Sequence, residues 1–163
     1  MQHVFAAGDG AEATDLSTGK NDVLAIQPIA VEHGRIAGQN MAGVRTAFEG
    51  GLNMNVLDTL GLVSSSFGLW QGAKLGTSGR ATDEAKFRYL RLEFEGERLV
   101  GGQAVGRTDH IGILRGLIQT RLKLGAWRQR LIAAPERLTE AYVAVAHGHP
   151  SAGWTKPHVN VPA

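Results

Sequence analysis

The 163-residue chain contains no cysteine. That excludes disulfides, thiolate metal sites and a redox-active cysteine pair, and it fits a cytoplasmic protein. Charge of one sign is scarce as well: 17 Lys and Arg against 15 Asp and Glu leave only +2. No dense basic run with interleaved aromatics occurs, so no nucleic-acid partner is expected. No apolar run approaches the roughly 20 residues that cross a bilayer, so no membrane partner is expected either. Met1-Gln2-His3 lacks the basic-then-apolar order of a signal peptide. Also missing are a GxGxxG fingerprint, a P-loop and a nucleophile-elbow serine. Gly101-Gly102 and Gly106 have the glycines of a phosphate loop but fall inside a hairpin strand, the wrong context.

What the chain does hold is an ordinary globular balance, 43% hydrophobic and 20% charged, enough for one cored domain or part of a larger one. Its 22 glycines recur beside apolar segments, which points to tight turns and close backbone contacts. Val4-Phe5-Ala6-Ala7 reads as a short buried strand that stops at Gly8-Asp9-Gly10. Such strands sit inside parallel sheets with neighbours on both sides, yet no parallel partner with a crossover helix follows. An Asp at the carboxyl end of such a strand lies where open α/β sheets bind ligands; the alternative is a turn Asp bonding its own backbone. Residues 11–23 read as a polar surface loop.

The clearest helix spans Leu24 to Val44. Pro28 places its start near Ile26-Gln27. Ile26, Ile29, Ile36, Met41 and Val44 follow the three-four spacing of one buried face. Ala30, Gly34, Gly38 and Ala42, four apart, make a second ridge that is flat enough for a sheet or a cofactor to lie close. His33 reads as a packed helix histidine.

Phe48 to Asn53, with Gly50-Gly51, reads as a boundary. Leu52 to Leu57 and Leu60 to Leu69 suggest strands, and Trp70 to Asp83 a loop. Lys86 to Arg107 is the best hairpin: Leu90, Leu92 and Phe94 alternate with charged residues, and Glu95-Gly96-Glu97 turns the chain. Thr108-Asp109 is the expected N-cap of a helix carrying Ile111, Leu114, Ile118 and Leu122, stopped by Gly125. Glu136 to Val145 reads as a last helix, and the remainder as an extended tail. His147, His149 and His158 in that tail lack a carboxylate partner, so no metal site is expected.

The chain resembles the C-terminal portion of the FAD-dependent pyridine-nucleotide-disulfide oxidoreductases, near the rubredoxin-reductase, NADH-oxidase and nitrite-reductase types. Three segments carry the likeness: Val4 to Asp9, like the second flavin-binding motif; Ile26-Gln27-Pro28 through Gly43, like the helix after it; and the strand, hairpin and helix layout from about Asn53 to Leu124, like the interface domain. The resemblance implies an α+β fold. Residues 1–50 would be a piece of the FAD-binding domain, 51–130 an interface and dimerisation domain, and 131–163 a helix and tail. It further implies that Asp9 bonds the ribityl chain, that Gly8 and Gly10 let the backbone approach it, and that the helix tip at Ile26, Gln27 and Pro28 faces the pyrimidine end of the flavin ring. No catalytic residue is assigned.

The implied partners are a second copy and an electron-acceptor protein, with NAD(P)H as reductant of the intact enzyme. The family's dinucleotide fingerprint and nicotinamide domain have no counterpart in this sequence, so the chain by itself is expected to be incomplete and inactive. The alternative reading is a non-enzymatic domain that self-associates or docks a partner.

Overall fold

The computed structural model describes residues 4–147. The fold is α+β, with four helices and seven strands among those residues. Two short strands, β1 (Glu12–Thr14) and β2 (Asn21–Val23), pair antiparallel with Ala13 opposite Asp22. Helix α1 (Gln27–Met41) follows. A five-stranded antiparallel sheet is ordered β3-β4-β7-β6-β5, from β3 (Met54–Thr59), β4 (Leu62–Gly68), β5 (Thr77–Asp83), β6 (Arg88–Glu95) and β7 (Arg98–Val105). Helices α2 (Ile111–Thr120), α3 (Trp127–Ala133) and α4 (Leu138–His147) complete it.

The large core forms where the sheet meets these last helices. Leu90, Leu92 and Phe94 share one face of β6 because side chains alternate along a strand, and all three are buried. They meet Leu114, Leu117 and Ile118 of α2, Leu131 of α3, and Leu138 and Ala141 of α4. Between Glu93 and Phe94 the register with β7 shifts: Glu93 faces Gly101 while Phe94 faces Leu99. Val100 is the extra residue of a bulge. That shift keeps Leu99 on the core face, and Val100 uses its carbonyl to accept the Leu69 N–H at 3.0 Å. The β3–β4 turn is Leu60-Gly61, both with positive φ (53° and 82°), as tight hairpins require.

Several expectations are corrected. Val4 to Ala7 forms no strand and is exposed, because no neighbouring strand among the described residues pairs with it. Residues 11–23 form the β1–β2 hairpin rather than a loop. Residues 77–83 are strand β5, hidden from a pattern search because Thr77-Ser78-Gly79-Arg80 carries no apolar alternation. Gly79 there lies against the α3 backbone, where a Cβ would come within 2.5 Å of the Leu131 carbonyl oxygen.

Helix α1 ends at Met41, and Met41 and Val44 are exposed. Its buried residues are Ile29, His33 and Ile36. Asn40 stops the helix: its side-chain amide donates to the carbonyls of Ile36 (2.8 Å) and Thr46 (2.7 Å) and so turns the chain back. The N-cap of α2 is His110, without a side-chain bond, so Thr108-Asp109 does not cap it. Arg121, at φ 52°, ends α2 before Gly125 is reached. The helix expected after Pro135 is present as α4, and α3 before it was not anticipated. The tail histidines His149 and His158 lie outside the described residues, as does the side chain of His147. Among the described residues no cluster of three or more potential ligands could hold a metal, and no helix is long and apolar enough to cross a membrane.

Candidate functional site

The candidate residues fall on two elements that touch. Gly8–Gly10 is a single 3₁₀ turn, closed by the Ala11 N–H donating to the Gly8 carbonyl at 3.0 Å. It packs on the first turns of α1, and a Cβ on Gly8 would sit 3.6 Å from that of Ala30. Gly8 has φ +71°, a conformation that disfavours any side chain. Gly10 has open space where a Cβ would go. Asp9 is exposed, and its carboxylate accepts no hydrogen bond from the described residues.

The second element is the start of α1. Its N-cap, Ile26, is extended (φ −137°, ψ 144°) and makes no side-chain capping bond. Pro28 brings no N–H, and the Ile29 and Ala30 N–H groups both donate to the Ile26 carbonyl (3.1 and 3.0 Å). The Gln27 N–H is thus the donor at the helix tip without a partner among the described residues. Gln27 and Pro28 are exposed, and Ile26 is half-buried against the Ala13, Leu24 and Ile29 cluster. The structure brings Gly8, Asp9 and Gly10 together with α1 and, among the described residues, leaves the tip uncovered.

The small-residue ridge of α1 meets Gly8 at Ala30 and is open, among the described residues, at its two glycines. Neither Gly34 nor Gly38 has an atom within 4 Å of where a Cβ would stand. On the neighbouring face lies a cavity of about 350 Å³, lined by Phe5, Glu12, Asn21, Asn40 and Phe48 along with His33. His33 is buried and packs edge-on against Phe48, ring centres 4.4 Å apart. It is the packed helix histidine the sequence suggested, but its Nδ1 finds no hydrogen-bond partner. Nothing in the spacing of His33 pointed to that orphaned nitrogen. Phe48, twelve residues beyond Ile36, could not be linked to it by periodicity.

Three carboxylates are held below their ordinary range, none of them a candidate site residue. The hydrogen bond from Arg35 lowers Glu32. Asp109 is lowered by its own backbone N–H and then by the charges of His110 and Arg107. The Arg137 hydrogen bond lowers Glu140.

No protein-family model matches the chain, and no curated protein matches it. Solved structures do. One is a NAD-dependent persulfide reductase from A. fulgidus (23% identity, TM-score 0.64), over 88% of this chain and 31% of that one. Another is a FAD-dependent pyridine nucleotide-disulphide oxidoreductase from Desulfovibrio vulgaris (18%, TM-score 0.67), over 88% and 38%. A third is the covalent putidaredoxin reductase–putidaredoxin complex (18%, TM-score 0.70), over 86% and 32%. The fold of this chain is that of a stretch of the FAD-dependent pyridine nucleotide-disulfide oxidoreductases. It spans between 31% and 38% of the length of those three chains.

Proposed function

We propose that this chain is the flavin-edge and dimerisation portion of an NAD(P)H-dependent flavoprotein oxidoreductase that passes electrons through FAD to an acceptor. Residues 1–50 would be the piece of the FAD-binding domain, 51–130 the interface domain that pairs with a second copy, and 131–163 an added helix and tail. The observation that carries the reading is the pairing of the Gly8–Gly10 turn with the uncapped, exposed start of α1, on a fold shared with these oxidoreductases.

The residues present suit the group. Asp9 offers an unengaged carboxylate that can accept bonds from ribityl hydroxyls. Gly10 leaves room for close backbone approach, and Gly8 holds the turn against Ala30 of α1. The Gln27 N–H and the positive end of the α1 dipole favour negative charge at the ring's pyrimidine end. Bound FAD would supply hydride acceptance from NAD(P)H and onward electron transfer. The work of the chain would then be placement and electrostatics: Asp9 would orient the sugar alcohol, and the α1 tip would favour negative charge at the ring. An electron-acceptor protein is a natural partner, as one of the similar structures holds a reductase joined to putidaredoxin.

The unpaired, exposed Val4 to Ala7 segment favours a second reading, a domain without cofactor that associates through its open surfaces. An absorption spectrum of the purified full chain separates the two. A flavin band that is diminished in Asp9→Ala supports the first. A colourless protein, with wild type and Asp9→Ala alike after incubation with FAD, overturns it.

A further inference from the structure

Charge in this molecule is segregated. Residues 4–50 carry six acids, Asp9 to Glu49, against three cations. Residues 121–137 carry five cations, Arg121, Lys123, Arg128, Arg130 and Arg137, against one acid, Glu136. This basic stretch runs from the end of α2 through α3 into the turn before α4. Trp127 sits at its centre between two guanidinium groups, Arg130 at 4.8 Å and Arg137 at 5.6 Å from the ring. Arg137 is further fixed by Glu140, and Arg128 by a 2.7 Å bond to the Thr77 hydroxyl. Arg121, Lys123 and Arg130 are exposed, and no ion pair among the described residues engages them. The acids bordering the face are Glu140, which bonds Arg137 and feels the charge of Arg130, and Glu95 and Glu97 by the β6–β7 turn, with the Glu97 carbonyl accepting the Leu124 N–H.

A stack of arginines on a tryptophan, beside unengaged cations, has already lost much of its side-chain freedom, so binding there costs less ordering. Trp and Arg are also the residues that carry protein interfaces. We infer that the face formed by the end of α2, α3 and the following turn is a docking surface for an acidic protein segment. Charge sets its encounter rate and register, and Trp127 supplies the apolar contact. The inference is independent of the flavin reading, since it uses no residue of that site.

The test titrates the full chain into a fluorescein-labelled oligoglutamate peptide, a single-stranded DNA oligonucleotide and phosphatidylserine vesicles. The expected result is saturable peptide binding that weakens about tenfold between about 50 and 300 mM NaCl, as screening requires. It should weaken by about tenfold again in Lys123→Glu/Arg130→Glu. The milder Lys123→Gln/Arg130→Gln pair, checked for folding by circular dichroism, should lose less, and Arg45→Gln in the acidic unit should lose nothing. Absence of peptide binding, equal binding by wild type and both patch variants, or tighter binding to the DNA or the vesicles than to the peptide would each overturn the proposal.

Discussion

The two halves of this molecule hold themselves together in different ways. Residues 52–147 own a core of fourteen buried residues in which a five-stranded sheet and three helices close on one another. Residues 4–51 own three: Ala13, Leu24 and Ile29, with Ile26 and Phe48 at the margin. The second half reads as self-sufficient. The first has an extended apolar segment with no pairing, an α1 ridge open at its two glycines, and an open cavity between them. The first half thus leaves open the kind of apolar surface that the second half buries.

The end of the first half is tied back onto its own hairpin. Gly51 donates its N–H to the Thr14 carbonyl at 2.9 Å, and its own carbonyl accepts the Leu16 N–H at 2.8 Å. Asp15, buried beside this bridge, accepts the Ser17 N–H and hydroxyl at 2.8 and 2.6 Å. Gly51, in the pair that read as a boundary, is therefore bonded into the fold of the first half.

Substitutions can sharpen this contrast. The largest effect is expected in the second half. Leu92→Ala removes a fully buried side chain from the sheet–helix core and should cost about 2–5 kcal/mol in urea unfolding. Next is Gly51. A Cβ at residue 51 would lie 2.5 Å from Ile29 Cδ1 and 2.8 Å from Leu24 Cδ1. Gly51→Ala should therefore cost about 1–3 kcal/mol, with faster amide exchange in the β1–β2 hairpin and α1 and little change in β6–β7. Smaller still is Phe5→Ser, which should shift the stability of this chain by no more than about 0.5 kcal/mol, since the ring is exposed. A loss as large as that of Leu92→Ala would erase the distinction between the halves.

The smallest effect is a matter of pH. Glu32 has its folded pKa lowered by Arg35, so its contribution is present above the unfolded carboxylate value and is lost as pH falls through the folded one. The pair is exposed on both sides, which limits it to about 0.5 kcal/mol or less. Glu32→Gln should flatten the acid limb of the stability curve by that amount and leave neutral pH nearly as stable. An unchanged acid limb would show the pair contributes nothing.

The sequence was most legible where pattern and burial coincide. The β6–β7 hairpin follows from Leu90, Leu92 and Phe94 around Gly96, and α1 from Pro28 and the Ile29 to Ile36 spacing. It was least legible where tertiary contact overrides local pattern. Strand β5 exists because β6 pairs with it and α3 covers Gly79, not because its own residues favour a strand. Val4 to Ala7 failed in the opposite sense: its composition suits a buried strand, but pairing requires a neighbour. The Gly8–Gly10 turn and the start of α1 were legible individually through Gly-Asp and Pro28. The contact of Gly8 with Ala30 and the open cavity beside His33 were not, since both depend on how the chain between Ala11 and Leu24 folds back.

The central claim is that the open side of the first half, at the Gly8–Gly10 turn and the tip of α1, is a flavin-binding wall. Hydrogen exchange of the full chain, with and without added FAD, tests it most directly. The account predicts that the amides of Gly8 to Ala11 and of Gln27 slow when FAD is present, while those of β6 and β7 keep their rates. Unchanged rates at the turn and the helix tip, or slowing confined to the second half, would contradict it.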